Sequence, residues 1–385
     1  MTSSVINFAK QLISIPSVSP MDLGCQELIS NRLIGLGFSV EQININNTSN
    51  IWACKGSGNT LMFAGHTDVV SAGNLDHWKF PPFSPTIYRG NFFGRGIVDM
   101  KGALSAMIIA VERYIKKYPN FKGRLAFLIT SDEESQALDG TKKVILNLIH
   151  RKESIDYCII GEPSSVKRLG DVIKYGRRGS ITACIRIYSI QKHIAYSKLF
   201  DNPIHQTIFF LKELLSTCWG RQNKFFASTS VQIYEIKSQS ISSNMIPCKL
   251  TVKFNFRFNN EITSSEIKEK VQELLSNSNI EYSINWNLSG DPFLTKIGLL
   301  SDVVIQSIKS VCNIVPKLST SGGTSDGRFI SKICSEIIEL GLVNKTIHKV
   351  NEKTKVEDLE VLSLMYENII TRLFFKIESE SDKNV

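Results

Sequence analysis

The chain has 385 residues, of which 42% are apolar and 21% are charged, a balance that excludes a wholly disordered protein. This length exceeds the size at which one hydrophobic core usually keeps growing, so two domains are expected. No segment has the roughly 18 uninterrupted apolar residues of a membrane span, and the first residues lack a secretory signal pattern. We therefore expect a cytoplasmic protein with no membrane partner.

The formal net charge of +9 results from 45 basic and 36 acidic residues. It has two interpretations: binding to a polyanion such as nucleic acid, or a compositional bias combined with a small anionic substrate. The lysines are spread along the chain without a block of like charges, which favours the small substrate and predicts no nucleic-acid partner. The eight cysteines include no C-x-x-C pair, so we expect reduced thiols and no thiolate zinc site.

Short apolar strands alternate with amphipathic helices through the first half of the chain. Strands are predicted at TLMFAGHTD from Thr60, RLAFLITS from Arg124 and DYCIIGEP from Asp156, and helices begin near Gly102 and Gly140. Repeats of strand, helix and strand predict an α/β fold, with a mixed, mostly parallel sheet covered by helices on both faces.

From about residue 180 the pattern changes to β-α-β-β-α-β. The strands SITACIRIYSI and KLTVKFNFRF alternate apolar and polar residues, and a capping box of Thr263 and Glu266 begins the second helix. This order is typical of a ferredoxin-like α+β domain. We therefore expect a large domain of residues 1–179 and 293–385, with a smaller domain of residues 180–292 inserted in it.

Residues that can bind metals or move protons follow the ends of the predicted strands. His66 and Asp68 end the first strand, Glu133 and Glu134 follow the second, and Glu162 follows the third. Each alone is more often a solvated turn residue, but the repetition at successive strand ends favours a ligand site in the crevice there. Because His66 and Asp68 are two apart on an extended segment, the acid can orient the imidazole ring.

Asp99 adds a further acid, in the glycine-containing loop FGRGIVDMKG before a helix. Crowded carboxylates stay ionised only where a cation offsets their charge. Imidazole and carboxylate ligands suit zinc, and two metals about 4 Å apart would need a bridging carboxylate. Since Glu133 and Glu134 are neighbours and point differently, one can bind metal while the other is a general base. The sequence therefore predicts a two-metal site.

The motifs GHTDVV, GRGIVDMKG, TSDEE, GEPS and TIHKVNE together resemble those of the M20 family of dinuclear zinc peptidases and deacylases. The resemblance covers nearly the whole chain, including FPPFSPT, KYGRRGS, FNFRF and STSGGTSDGRFI. It implies metal-dependent hydrolysis of an amide bond, with two Zn²⁺ per subunit and Co²⁺ or Mn²⁺ as an alternative in one site. It also implies that the inserted domain forms a homodimer.

The resemblance assigns roles to residues at the site. Asp99 would bridge the two metals, and one metal would also bind His66 and Glu162. The implied ligands of the other metal are Glu134 and His348, a histidine that the inserted domain separates from the other ligands along the chain.

Three further residues are implied to take part in catalysis. Glu133 would be the general base and Asp68 the residue that orients His66. His193, in QKHIAYS, would be donated across the dimer interface to stabilise the tetrahedral intermediate.

A substrate with several carboxylates would be held by arginines, whose planar guanidinium group suits bidentate recognition of carboxylates. The implied substrate-binding residues are Arg177, Arg178, Ser180, Tyr196, Asn244, Arg257, Gly323, Thr324 and Asn344. Two alternatives stay open: a related deacylase or dipeptidase of the same family, and a basic nucleic-acid-binding protein without catalytic activity. Salt-dependent DNA affinity would distinguish the second.

Overall fold

The computed structural model describes residues 4–239, 242–278 and 280–381. These residues divide into two compact units. The first unit lies within residues 1–176, 294–319 and 325–385, and the second within residues 177–293 and 320–324.

Strands and helices alternate along the described chain. The strands are β1 (Ser39–Gln42), β2 (Asn50–Ser57), β3 (Thr60–His66), β4 (Thr86–Tyr88), β5 (Asn91–Phe93), β6 (Gly123–Thr130), β7 (Tyr157–Ile160), β8 (Val172–Lys174), β9 (Gly176–Arg177), β10 (Gly179–Tyr188), β11 (Ser230–Ser238), β12 (Lys249–Phe258), β13 (Glu281–Gly290), β14 (Phe293–Leu294), β15 (Lys317–Ser319), β16 (Glu336–Glu339) and β17 (Lys353–Lys355). The helices are α1 (Ser4–Ile13), α2 (Cys25–Gly35), α3 (Lys101–Lys117), α4 (Thr141–His150), α5 (Pro203–Ser216), α6 (Ser264–Ser276), α7 (Leu299–Cys312), α8 (Gly327–Ile330) and α9 (Val356–Ser381).

The first unit is built on an eight-stranded mixed sheet in the order β1-β2-β6-β3-β7-β16-β8-β15. Its central pairs β6-β3, β3-β7 and β7-β16 are parallel, as is β8-β15 at one edge. Strand β6 shows why both faces are covered, because Leu125, Phe127 and Ile129 pack with α1, α3, α7 and α9 on one face. Ala126 and Leu128 pack with α4 and α8 on the other face. The predicted α/β class is confirmed.

The start of α3 is fixed tightly against its surroundings. The Lys101 side chain is fully buried, and its Nζ donates hydrogen bonds to the carbonyl oxygens of Leu12 (2.9 Å) and Ile15 (2.7 Å). Gly102 lets the preceding loop approach, since a Cβ there would lie 2.1 Å from the carbonyl oxygen of Ile97. The loop that contains Asp99 is therefore held at the beginning of α3.

The second unit contains β10, α5, β11, β12, α6 and β13, in the predicted β-α-β-β-α-β order. Its sheet has the antiparallel order β11-β12-β10-β13. Alternate residues of β12, including Phe254 and Phe256, are buried against the two helices. The predicted capping box begins α6: Thr263 Oγ1 accepts a hydrogen bond from the Glu266 backbone N–H (3.2 Å), and Glu266 Oε2 accepts one from that of Thr263 (2.7 Å).

All eight cysteines are free thiols. Within the described part of the chain, no helix combines the length and apolar composition that crossing a membrane requires.

Candidate metal centre

Three neighbouring parallel strands bring candidate ligands to one edge of the first unit's sheet. His66 is the last residue of β3, Glu134 lies four residues beyond the end of β6, and Glu162 lies two residues beyond the end of β7. Strands β6 and β7 both pair in parallel with β3, so their carboxyl ends lie together. This is the edge at which open α/β sheets bind their ligands.

Two other residues reach the same place from loops. Asp99 lies two residues before the start of α3, and His348 lies in the segment that leads to β17. His348 has a φ of 57°, in the left-handed region that non-glycine residues rarely adopt. Such conformations are found where the surrounding structure holds a functional residue in place.

Asp99 lies between the two histidines and faces each with a different oxygen. Its Oδ1 is 3.3 Å from His66 Nε2, and its Oδ2 is 3.2 Å from His348 Nε2. Glu162 Oε1 is 3.6 Å from His66 Nε2, and Glu134 Oε1 is 2.9 Å from His348 Nε2. Ligand atoms within 4.8 Å of one another thus form two groups that share Asp99: His66 with Glu162, and Glu134 with His348.

The donor atoms of these two groups fit divalent metal ions. His66 Nδ1 lies 2.9 Å from the backbone carbonyl oxygen of Asp68, which can only accept a hydrogen bond. In the neutral ring the proton is therefore on Nδ1, and the lone pair of Nε2 points to Asp99 and Glu162. Nitrogen and carboxylate oxygen atoms in this arrangement are the ligands that zinc uses in catalytic sites.

The carboxylates of the site repel one another in the absence of a cation. Burial, together with the charge of Asp99, raises the pKa of Glu162 to about 7. Burial and then the charge of Glu162 raise the pKa of Glu133 well above its ordinary value. Burial also raises the pKa of Glu134. A divalent cation would favour the ionised form of each group.

The two histidines offset part of this repulsion. Hydrogen bonds to Asp99 and Glu134 raise the pKa of His348 to about 10. For His66, burial opposes protonation, but Asp68, Asp99 and Glu162 together outweigh it and raise the pKa. A metal ion bound at Nε2 of either ring would replace the proton that these acids favour there.

Asp68 is positioned to do more than orient His66. Its carboxylate Oδ1 lies 3.5 Å from His66 Nδ1. The same carboxylate accepts hydrogen bonds from the backbone N–H groups of Glu133 (3.3 Å) and Glu134 (3.0 Å). Asp68 therefore holds the loop that carries the two glutamates, a contact that the sequence did not indicate.

Asp132, the first of the three consecutive acids, fixes the loop that follows it, a role that was not predicted from the sequence. It is buried, and its carboxylate accepts hydrogen bonds from the backbone N–H groups of Leu138 (2.9 Å) and Asp139 (3.1 Å) and from the Ser135 hydroxyl. An acid followed by a serine three residues later is a weak turn signal that could have suggested this role.

The second unit contains most of the residues that were predicted to contact substrate. Arg177 is buried, and its Nη1 donates to the carbonyl oxygens of Ser321 (3.3 Å) and Gly323 (3.1 Å). Arg257 on β12 is paired with Ser180 on β10. These contacts bring Arg177 next to Gly323 and Arg257 next to Ser180.

Other predicted residues of this unit lie near one another. The His193 and Tyr196 rings are 5.5 Å apart, and the backbone N–H of Ile194 donates to the Asn244 carbonyl oxygen (2.9 Å). Tyr196 is 86% exposed. Of the remaining predicted residues, Arg178 donates a hydrogen bond to the Ser228 carbonyl oxygen (3.2 Å). The Thr324 Oγ1 is buried and has no hydrogen-bond partner among the described residues. Asn344 lies in the first unit.

A family model and a named relative each match most of the chain. The model of peptidase family M20/M25/M40 matches residues 62–372. A succinyl-diaminopimelate desuccinylase of Buchnera aphidicola subsp. Baizongia pistaciae is 65% identical over 97% of this chain and 99% of its own.

Solved structures have the same fold at low sequence identity. An M20 family metallo-carboxypeptidase from Sulfolobus solfataricus has a TM-score of 0.82 at 16% identity, over 97% of this chain and 99% of its own. A dinuclear metal-binding peptidase of the M20 family from Bacillus subtilis has a TM-score of 0.72 at 14% identity, over 97% and 98%. The chain therefore belongs to peptidase family M20/M25/M40.

Proposed function

We propose that the protein hydrolyses the succinyl amide bond of N-succinyl-LL-2,6-diaminopimelate, which releases succinate and LL-2,6-diaminopimelate. The observation that carries this proposal is the 65% identity, over nearly the full length of both chains, to a protein named for that reaction. The grouping of histidines and acids at one sheet edge supports it, because amide hydrolysis by such sites requires metal ions.

The site would hold two divalent cations, Zn²⁺ in both positions or Co²⁺ or Mn²⁺ in one. His66, Asp99 and Glu162 would bind one ion, and Asp99, Glu134 and His348 the other; the separate orientation of the two Asp99 oxygens supports a bridging role. Bound ions would polarise the amide carbonyl and make a water molecule more acidic.

Glu133 would act as the general base. A carboxylate oxygen of Glu133 lies within 4.8 Å of ligand atoms of both His66 and Glu134, so it borders the site without belonging to either Asp99 group. Its position at the edge of the two groups suits removal of a proton from the attacking water. The same carboxyl group can then deliver that proton to the leaving amine.

Residues of the second unit would recognise the substrate. A succinylated diamino-diacid is rich in carboxylates, and Arg177, Arg178 and Arg257 can bind them through paired N–H groups. The buried Thr324 hydroxyl, which lacks a partner among the described residues, is available for a polar group of the substrate. His193 would donate a hydrogen bond to the oxyanion of the tetrahedral intermediate.

The protein would act as a homodimer formed through the second unit. Three apolar side chains on one face of α5, Ile204, Ile208 and Leu215, are exposed at helical spacing. Strand β11 lies at an edge of the sheet and exposes Tyr234 and Ile236. Exposed apolar side chains in such a group are typical of protein interfaces.

The first prediction concerns the substrate. With Zn²⁺ supplied, the purified protein should hydrolyse N-succinyl-LL-2,6-diaminopimelate with a kcat/KM on the order of 10²-fold or more above that for the N-acetyl amide, because arginines left without a carboxylate lose binding energy. Steady-state kinetics with both amides measure the ratio. Equal or higher activity on the acetyl amide would instead identify a related deacylase, and cleavage of dipeptides alone a dipeptidase.

The second prediction separates the roles of two neighbouring glutamates. Glu133→Gln should lower kcat by about 10² to 10⁴-fold, since general base catalysis is lost, while the metal content stays at the wild-type level. Glu134→Gln, the matched control, should lower metal content as well. Elemental analysis and kinetics of both variants provide the test, and wild-type turnover by Glu133→Gln would rule out the proposed base.

The third prediction concerns assembly. The wild-type protein should sediment at about twice the mass of one 43.2 kDa chain, and Ile208→Glu should shift it to the monomer because a charge buried in an apolar interface is unfavourable. Leu146→Glu is the control, since Leu146 is a similarly exposed apolar residue on α4 of the first unit. If both variants sediment like a monomeric wild type, the dimer does not form.

A further inference from the structure

Glu352 is a buried carboxylate of the first unit that the proposed reaction does not use. It is only 1% exposed, and its two oxygens accept hydrogen bonds from the loop that ends in Asp99. Oε2 accepts from the backbone N–H of Gly96 (2.8 Å), and Oε1 accepts from those of Val98 (2.8 Å) and Asp99 (3.2 Å). One side chain therefore satisfies three backbone donors of a ligand-bearing loop.

Arg95 completes this arrangement from the other side of the same loop. Its Nη1 donates to Glu352 Oε2 (2.8 Å) and to the Lys349 carbonyl oxygen (3.2 Å). Its Nη2 donates to the Ser71 carbonyl oxygen (3.3 Å), and its guanidinium group lies over the Trp78 ring at 5.1 Å. Arg95 thus links Glu352 to the segment that follows His348 and to the loop beyond β3.

The two residues that Glu352 connects belong to segments far apart in sequence. Asp99 and His348 are separated by 249 positions, yet Asp99 Oδ2 lies 3.2 Å from His348 Nε2. Backbone bonds extend the connection, since Gly94 N–H donates to the Glu352 carbonyl oxygen (3.1 Å) and β17 pairs with β5. The left-handed φ of His348 requires such external support, because this conformation is unfavourable for histidine.

General stabilisation alone does not explain this geometry. A buried ion pair can often be replaced by apolar residues without loss of stability, so the Arg95–Glu352 pair is weak evidence for a purely stabilising role. The Glu352 carboxylate instead uses most of its acceptor capacity on the backbone of residues 96–99, directly at Asp99. Mutation of residues that orient metal ligands without binding the metal commonly lowers metal affinity by about 10 to 100-fold.

We infer that Glu352 is a positioning residue for the metal pair, which holds the Asp99 carboxylate at the separation from His348 that lets both ions share it. This inference rests on the proposed metal site. It does not depend on the identity of the substrate. Glu352 would not contact either ion or the reacting atoms.

The test is a metal titration of the full chain. Apoprotein is titrated with Zn²⁺ by calorimetry and with Co²⁺ by visible absorption, for the wild type and for Glu352→Gln. The glutamine keeps the size of the side chain, but its NH₂ group cannot accept hydrogen bonds from the backbone N–H groups that face it. The affinity of the variant protein for at least one ion should therefore fall by about 10 to 100-fold. The cobalt spectrum should change, because the ligand geometry changes.

Glu112→Gln is the matched control. Glu112 also pairs with an arginine in the first unit, with 2.7 Å between its Oε2 and Arg32 Nη2, but that pair lies on α2 and α3 away from the ligand loops. This variant should keep both affinities and the cobalt spectrum of the wild type, even where its melting temperature falls. Glu352→Asp is a second variant: it keeps the buried charge beside Arg95, but its shorter side chain cannot reach all three backbone N–H groups, so the protein's affinity for at least one ion should also fall.

The outcomes distinguish the inference from the function on which it rests. Wild-type affinities and spectrum in Glu352→Gln would overturn the inference while leaving the two-metal site intact. If Glu352→Gln does not fold, Glu352→Asp decides, since affinities equal to the wild type in that variant would equally overturn the inference. A wild-type protein that binds no metal would contradict the proposed function itself and the inference with it.

Discussion

The structure of this site depends on one constraint, the repulsion among carboxylates gathered at the edge of a parallel sheet. Asp99, Glu133, Glu134 and Glu162 are brought together by two strand ends and a loop, and the pKa values of Glu133, Glu134 and Glu162 are raised in the absence of a cation. Two histidines offset part of the negative charge, one at each oxygen of Asp99. The geometry is that of a site built around positive charge, which the proposed ions would supply.

Buried acids around the site hold the ligand-bearing loops through backbone hydrogen bonds. Asp68 accepts hydrogen bonds from the backbone N–H groups of Glu133 and Glu134. Asp132 accepts them from Leu138 and Asp139. Glu352 accepts hydrogen bonds from the backbone N–H groups of the loop before α3. Each carboxylate pairs several backbone N–H groups of a loop that would otherwise lack regular structure, and so fixes that loop.

The elements of the fold and the candidate metal ligands at the strand ends could be predicted from the sequence. Periodicity identifies strands, and the ends of parallel strands meet at one edge, so His66, Glu134 and Glu162 could be brought together from local patterns. The role of Asp132 has only a weak turn signal in the sequence and that of Glu352 has none, because a carboxylate that binds backbone N–H groups leaves no periodic pattern. Glu352 is bound to a loop more than 250 positions away, and only the folded chain brings them together.

The central claim is that two divalent ions share the Asp99 carboxylate. Anomalous diffraction at the zinc edge from crystals of the zinc-loaded protein tests it directly. The account predicts two peaks about 3.5–4 Å apart, each about 2.0–2.2 Å from one oxygen of Asp99, with His66 beside one peak and His348 beside the other. A single peak, or two peaks with no Asp99 oxygen between them, would contradict it.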